Sequence, residues 1–226
     1  MGEALSFCDM FYQSREGASP INTAIQEWSP IVFVEPCCGD GRIIQALVDS
    51  LSSSQTNGKR HCVLAYDIDE NATAQCKVNV ARHTYSTSVS ISTQTCNFLE
   101  LSRDELLSRV TELTQISNAL DHFHFVFDGG PPYSSGAGSG ASISRDLPSQ
   151  FVMHSISNLG AEFVSFLVPR RCNNEINDVE EMLEKETETK WKCEPHELEN
   201  SLFNFQGRIV TQPSVLQCWR KPPTLT

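Results

Sequence analysis

Short apolar runs that alternate with helical segments constrain the fold of this chain more than any other feature. Four of these runs are "IVFVEP" at 31–36, "CVLAYDI" at 62–68, "FHFVFD" at 123–128 and "EFVSFLVP" at 162–169. Uninterrupted apolar runs of this length are typical of strands that are buried on both faces of a parallel sheet. A further segment, "SVSISTQTCNF", alternates like a strand nearer an edge, and "RIVTQPSVLQCWRK" predicts one or two closing strands.

Helical patterns separate these strands, which is the arrangement that a mostly parallel sheet requires. The patterns predict helices at 19–28, 42–51, 70–82, 102–116, 147–159 and 177–190. The helix at 102–116 has the clearest pattern, because Ser102 and Glu105 have the spacing of a capping box and apolar residues recur along one face. We therefore expect an α/β fold with helices covering both faces of the sheet.

Composition narrows the function classes. The chain has 226 residues and a formal net charge of −11, so we do not expect it to grip a nucleic-acid backbone unaided. Nine scattered cysteines, without a secretory signal or a membrane-length apolar run, predict reduced thiols and an intracellular location in the cytoplasm or nucleus. Cys193, His196 and Cys218 lack the two close ligand pairs of a zinc site, and we expect no metal.

Turn-forming and polar residues follow four of the predicted strands, as "EPCCGDGR", "YDID", "CNF" and "DGGPPY". Ligands of open parallel sheets bind beyond the carboxyl ends of the strands, so these segments predict one site. Position 44 is Ile where the dinucleotide fingerprint has its third glycine, and no Gly-Lys-Ser/Thr sequence is present. A glycine turn without phosphate-binding features suits a nucleoside ligand.

The first of these segments resembles the first motif of class I S-adenosylmethionine-dependent methyltransferases. Glu35, Gly39 and Gly41 match it, and Cys37 stands where an extra glycine is common. The resemblance implies a Rossmann-like three-layer sandwich with a mostly parallel seven-stranded sheet and an antiparallel C-terminal strand. It also implies one methyltransferase domain over 1–226, with an N-terminal arm and helix at 1–30, a cofactor-binding half at 31–100 and a substrate-side half at 101–226.

The same resemblance implies how S-adenosyl-L-methionine would be held. Asp67 would accept both ribose hydroxyls, Ile68 would pack on the adenine, and Asn97 with Phe98 would meet the adenine amine and ring edge. "FYQSREGASPI" at 11–21 resembles the segment that reaches the methionine end of the cofactor, which makes Tyr12 a candidate; an ordinary N-terminal arm is the alternative. Asp128 is expected beside both the cofactor and the reacting group.

"DGGPPY" resembles the Asn/Asp-Pro-Pro-Tyr/Phe motif of enzymes that methylate planar amines. A planar amine is a poor nucleophile, and in this motif a side-chain oxygen and the first proline carbonyl accept its two N–H groups. Pro131, Pro132 and Tyr133 are present, but Gly130 occupies the position of the Asn or Asp. The expected catalytic residues are Asp128, Pro131, Pro132 and Tyr133, with Asp128 replacing the missing acceptor across a flexible Gly-Gly turn.

The resemblance implies methylation of an amine, with adenine N6 in nucleic acid preferred, RNA before DNA, and a protein partner that supplies affinity. Two alternatives stay open: a catalytically impaired scaffold subunit, which Gly130 favours, and methylation of a protein amide or a small molecule. Arg170, Arg171 and Arg208 could touch phosphate near the site, or could be ordinary solvated arginines.

Overall fold

The structure is a computed structural model that describes residues 30–53, 60–82, 89–132, 146–198, 202–205, 208–211 and 213–221. The helix predicted at 19–28 lies outside these residues. The described strands are β1 (Ile31–Glu35), β2 (His61–Asp67), β3 (Val89–Thr95), β4 (His124–Gly129), β5 (Phe163–Pro169), β6 (Lys192–Leu198), β7 (Leu202–Phe205), β8 (Arg208–Thr211) and β9 (Ser214–Arg220). The described helices are α1 (Arg42–Ser53), α2 (Glu70–Ala81), α3 (Arg103–Thr114), α4 (Ala119–His122), α5 (Leu147–Met153) and α6 (Ile176–Thr187).

Seven of these strands form one sheet in the order β3-β2-β1-β4-β5-β9-β6. The pairs from β3 to β5 are parallel, whereas β9 runs antiparallel to both β5 and β6. β7 and β8 form a separate hairpin between β6 and β9 in the chain. The expected mostly parallel seven-stranded sheet with an antiparallel C-terminal strand is confirmed.

The two faces of the sheet bury different sets of residues, because successive side chains of a strand point to opposite faces. One face packs against α1 and α2 through a cluster that includes Phe33, Ile44 and Cys76. The other face packs against α3, α5 and α6 through a larger cluster that includes Phe127 and Phe151. Helices on both faces of a central sheet make the three layers that were expected.

The predicted capping box begins α3. Ser102 Oγ accepts the Glu105 backbone N–H at 3.3 Å, and the Glu105 carboxylate accepts the Ser102 N–H at 2.9 Å. Each of these contacts satisfies a backbone or side-chain group that a helix start leaves unpaired. The apolar stripe then places Leu106 and Val110 in the core.

Several elements differ from the sequence prediction. The strand predicted at 88–98 ends at Thr95, and residues 98–100 form a 3₁₀ turn that Asn97 caps. The helix predicted at 147–159 changes into a π-helical turn at His154. The short helix α4 and strands β6 and β7 were not predicted. The sequence of β6, "KCEPHEL", has no apolar pattern and contains Pro195. Such a sequence is tolerated on an edge strand, where one side of the backbone needs no ladder partner.

The position of β6 also shows whether Cys193 and His196 could bind the same zinc ion. Cys193 and His196 lie three residues apart on this strand, so their side chains point to opposite faces of the sheet. They therefore cannot form two neighbouring ligands of one zinc ion. No group of three or more potential metal ligands occurs among the described residues.

β1 is the switch point of the strand order: from it the sheet grows through β2 and β3 on one side and through β4 and β5 on the other. Such a switch point opens a crevice at the carboxyl ends of the strands, where α/β proteins bind ligands. None of the helices in the described ranges is long and apolar enough to span a bilayer.

Candidate active site

Two hydrogen bonds fasten the turn after β1 to the end of β2. The Cys38 N–H donates to the Tyr66 carbonyl at 2.7 Å, and the Gly39 N–H donates to Asp67 Oδ2 at 2.9 Å. The second bond joins residues 28 positions apart in the chain, so it forms only when the two strands pair. It brings together two residues that the sequence assigned to the same ligand.

The two glycines of this turn have different reasons to lack a side chain. Both adopt positive φ angles, 51° at Gly39 and 86° at Gly41. A Cβ at Gly41 would lie 2.7 Å from Cys76 Sγ, whereas a Cβ at Gly39 would have no atom within 4 Å. Gly41 therefore permits close packing of α2 against the turn. Gly39 borders open space that a ligand can enter.

The Cys76 thiol at this contact is held by its neighbours. It lies 3.9 Å from Thr93 Oγ1, and a hydrogen bond with the Cys38 thiol lowers the pKa of Cys76. The same hydrogen bond, together with burial, raises the pKa of Cys38. Burial likewise raises the pKa of Cys37, the residue matched to the motif's extra glycine. Cys37 and Cys38 belong to the turn itself, and Cys76 contacts it from α2.

Asp67 connects the glycine turn to the start of α2. Besides accepting from Gly39, its carboxylate accepts the Asp69 N–H at 3.0 Å, just before Asp69 caps α2. Ile68, between them, is 73% exposed, and it is the most exposed large apolar side chain among the described residues. An apolar side chain directed to solvent beside a carboxylate is the arrangement that a nucleoside needs, with the ring on one and the ribose hydroxyls on the other.

Asn97 and Phe98 lie at the end of β3, but their side chains make internal contacts. Asn97 Oδ1 accepts the Leu99 N–H at 3.3 Å, and its Nδ2 donates to Glu100 Oε1 at 2.8 Å. Phe98 is 2% exposed and stacks on Phe151 with 5.3 Å between ring centroids. The Phe98 ring is thus a core residue that fixes the position of this segment. A cavity of about 360 Å³, lined in part by Cys96, Asn97 and Arg109, adjoins it.

Glu35 is an ionisable residue buried at the base of the crevice. It is 4% exposed, and within the described part of the chain its Oε2 atom has no hydrogen-bond partner. Burial raises the pKa of Glu35 well above its ordinary value of 4.5, and Asp128 raises it further. This carboxyl group therefore lies beneath the glycine turn with one oxygen unpaired among the described residues.

The end of β4 lies next to Glu35. A Cβ at Gly129 would lie 3.3 Å from Pro36 Cδ and 3.4 Å from Glu35 Cγ, so this glycine allows the ends of β1 and β4 to approach closely. Gly130 is not among the positive-φ residues, and Pro131 is buried while Pro132 is exposed. The segment Gly129–Pro132 therefore starts at buried residues beside Glu35 and reaches the surface at Pro132.

Asp128 is 7% exposed and lies within β4, opposite Ser165 of β5. The Ser165 hydroxyl donates to Asp128 Oδ1, which commits that oxygen to a contact inside the sheet. Sequence reasoning missed Ser165, because a serine within an apolar run gives no indication of its partner. The structure thus brings Glu35, Gly39, Gly41, Asp67, Ile68 and Asp128 to one edge; Tyr12 and Tyr133 lie outside the described residues.

Comparison with known proteins identifies solved structures that share this architecture. No protein-family model and no curated protein matches this chain. Among solved structures, a Listeria monocytogenes protein assigned to the class I S-adenosylmethionine-dependent methyltransferases superimposes with a TM-score of 0.60 at 14% identity. The superposition covers 91% of this chain and 58% of that one. This chain has the class I methyltransferase fold.

Two further solved structures with this fold superimpose over a larger share of their own chains. A Pyrococcus horikoshii protein assigned as an RNA methyltransferase has a TM-score of 0.52 at 9% identity, with 89% of this chain and 80% of that one covered. A human methyltransferase 10 domain-containing protein has a TM-score of 0.51 at 13% identity, with 97% and 83% covered. The methyltransferase fold that the motifs implied is confirmed, and the glycine turn and Asp67 occupy the crevice at its switch point.

Proposed function

We propose that this protein binds S-adenosyl-L-methionine at the turn between β1 and α1 and methylates a planar amine. The observation that carries the proposal is the hydrogen bond from Gly39 to Asp67, because it joins an open glycine turn to an acidic residue. When bound, this cofactor supplies an electrophilic methyl group on a positively charged sulfur.

The residues at the crevice fit that ligand. Asp67 can accept the ribose hydroxyls, and exposed Ile68 offers an apolar surface to the adenine ring. The carboxyl groups of Asp67 and Asp128 lie near Glu35, and such acidic surroundings suit a cationic cofactor and disfavour an anionic one. Asn97 and Phe98 would border the adenine, with Phe98 acting through the backbone that its buried ring holds in place.

The substrate side of the proposal rests on the residues after β4. Buried Pro131 would present its carbonyl to one N–H of the amine, and Tyr133 would stack on the flat ring. A proline carbonyl that is preset in position stabilises the positive charge that develops on the nitrogen. Adenine N6 is the proposed target because the Pro-Pro-Tyr segment resembles the motif of enzymes that methylate planar amines. RNA is the proposed substrate class because the Pyrococcus horikoshii protein with the same fold is assigned as an RNA methyltransferase.

A second function, that of a catalytically impaired subunit, is favoured by Gly130 and by the engagement of Asp128 with Ser165. Gly130 has no side-chain acceptor, and the Ser165 contact occupies one of the two carboxylate oxygens of Asp128. In that case the chain would bind the cofactor, or hold a partner, without transferring methyl groups at a useful rate.

Calorimetric titration with S-adenosyl-L-methionine tests the cofactor site. The wild-type protein should bind, Asp67→Ala should lose binding, and Asp121→Ala, an exposed aspartate on α4, should bind normally. Incubation with labelled cofactor and an RNA pool, followed by nucleoside mass spectrometry, should then detect N6-methyladenosine. Absence of binding at millimolar cofactor would refute the enzyme proposal, and binding without transfer would favour the impaired subunit.

A further inference from the structure

One histidine anchors the segment that follows β3. His154 Nε2 lies 3.1 Å from the Leu101 carbonyl oxygen, and this contact joins residues 53 positions apart in the chain. The imidazole ring also packs edge to face against Phe98, with 5.3 Å between the ring centroids. A half-buried side chain of one helical segment thus contacts both ends of the short 3₁₀ turn at residues 98–100.

The contact with Leu101 defines which ring nitrogen of His154 carries the hydrogen. A backbone carbonyl can only accept a hydrogen bond, so Nε2 must be the donor. Burial lowers the pKa of His154, and the ring is therefore neutral near pH 7 with a single N–H group. That N–H group is directed at the Leu101 carbonyl.

The backbone departs from α-helical geometry at the same residue. Helix α5 ends at Met153, and residues 154–158 form a π-helical turn in which the Leu159 N–H donates to the His154 carbonyl at 3.1 Å. Single π-helical turns are rare and occur frequently at functional sites. The turn begins at His154, the residue that reaches the segment after β3, while Ser155 and Ile156 are buried.

The segment that His154 anchors is also bonded to Asp67, the proposed ribose-binding residue. The Cys96 N–H donates to the Asp67 carbonyl at 2.9 Å, and the Leu101 N–H donates to the Phe98 carbonyl at 3.1 Å. Residues 96–101 are therefore hydrogen-bonded to the end of β2 on one side and to His154 on the other. The position of this segment beside Asp67 depends on both attachments.

We infer that His154 is a positioning residue for cofactor binding, because its hydrogen bond to Leu101 holds residues 97–101 where they border the adenine ring. The inference rests on the proposed function, which assigns Asn97 and Phe98 to that border. His154 acts through this segment and does not touch the reacting atoms. A segment that is already ordered in the free protein loses less conformational freedom when the ligand binds, and the affinity rises accordingly.

Three substitutions of His154 separate its hydrogen bond from its packing. The glutamine amide nitrogen lies as many bonds from the backbone as His154 Nε2, whereas the asparagine nitrogen lies one bond closer. Phenylalanine keeps an aromatic ring but has no donor. His154→Asn and His154→Phe should therefore weaken cofactor binding about three- to tenfold, the effect of one lost hydrogen bond, and His154→Gln should stay within about twofold of the wild type. His122→Asn, at an exposed histidine of α4, should bind normally.

Calorimetric titration of the full chain with S-adenosyl-L-methionine and with S-adenosyl-L-homocysteine measures these effects, and urea unfolding establishes that each variant is folded. The two ligands share the adenosine group, so both should lose affinity by the same factor. A loss confined to one ligand, equal affinity in His154→Asn and His154→Gln, or His154→Gln as weak as His154→Phe would overturn the inference. If the wild type bound neither ligand, the proposed function itself would fail, whereas normal binding by every variant would remove only the role of His154.

Long-range ¹⁵N–¹H correlation spectra of the ligand-free protein test the hydrogen bond without any cofactor. Near pH 7 the His154 ring should be the neutral tautomer that carries its hydrogen on Nε2. A neutral ring with the hydrogen on Nδ1, or a doubly protonated ring, would contradict the inference.

Discussion

Replacement of Gly41 by alanine tests how the turn after β1 is packed. The new Cβ would lie 2.7 Å from Cys76 Sγ and would require a side chain at a φ of 86°. The left-handed backbone costs an L-residue about 1–2 kcal/mol, and overpacking a filled site costs about 1–3 kcal/mol more. The free energy of unfolding should therefore fall by about 2–5 kcal/mol for Gly41→Ala.

Gly39→Ala is the matched control, because the residue has the same kind of backbone without the steric contact. Its φ is 51° and its Cβ would have no atom within 4 Å. Only the backbone cost applies, so the free energy of unfolding should fall by about 1–2 kcal/mol for Gly39→Ala. Urea unfolding followed by tryptophan fluorescence measures both variants, since Trp191 and Trp219 are buried.

A double mutant isolates the steric contribution. In Gly41→Ala/Cys76→Ala the sulfur is gone and the nearest remaining atoms of residue 76 lie at 3.5 Å, an ordinary contact. The two substitutions should therefore be coupled by about 1–3 kcal/mol in a double-mutant cycle. If Gly41→Ala were as stable as Gly39→Ala, or the cycle gave no coupling, the close packing of α2 against the turn would be refuted.

The same pair of variants separates stability from ligand binding. Gly39→Ala should keep most of its stability but lose cofactor affinity by at least about tenfold, because its methyl group would fill the space open to the ligand. Cofactor affinity that is unchanged in Gly39→Ala would contradict the proposed site, whatever the result for Gly41→Ala.

Three further predictions concern single residues. Ile68→Ser should change the free energy of unfolding by less than about 0.5 kcal/mol yet weaken cofactor binding about tenfold by calorimetry. Leu120→Ser, at another exposed apolar residue, should leave binding unchanged. Because the pKa of Glu35 is raised by burial, the native state holds a proton that the unfolded state loses above its ordinary pKa of 4.5. Stability should thus decline as pH rises from 4.5 through the native pKa, and urea unfolding between pH 4 and 8 should find this decline missing in Glu35→Gln. Gly130→Asn should raise methyl transfer to RNA about 10²–10³-fold by restoring the acceptor, and an unchanged rate would mean that the amine is held by other groups.

Local sequence was sufficient for the elements whose residues carry their own signal. The run "IVFVE" becomes β1 because five consecutive apolar or buried residues suit a strand covered on both faces. Helix α3 begins where Ser102 and Glu105 predicted it, because a capping box is formed by residues only three apart. β6 could not be predicted, since its polar sequence becomes a strand only by pairing with β9.

The segments that resemble cofactor motifs could likewise be identified in the sequence, but the contacts of their side chains depend on tertiary packing. The sequence predicts Phe98 at the adenine edge, and the structure shows its ring stacked on Phe151, more than 50 residues away in the chain. Asp128 was expected to move toward the amine, and its carboxylate accepts from Ser165 on the neighbouring strand. Each of these contacts joins segments that are far apart in the chain, so no local pattern contains it.

The sequence alone thus determined the alternation of elements, the glycine turn, the acidic residue after β2 and the Pro-Pro motif after β4. These features depend on residues a few positions apart, whose spacing sets helix, strand and turn. Only the tertiary structure decided that the Gly39 N–H donates to Asp67, that Cys76 fills the space beside Gly41, and that Ser165 donates to Asp128. The physical reason is that strand order and register bring these residues together, and strand pairing joins segments that the chain keeps apart.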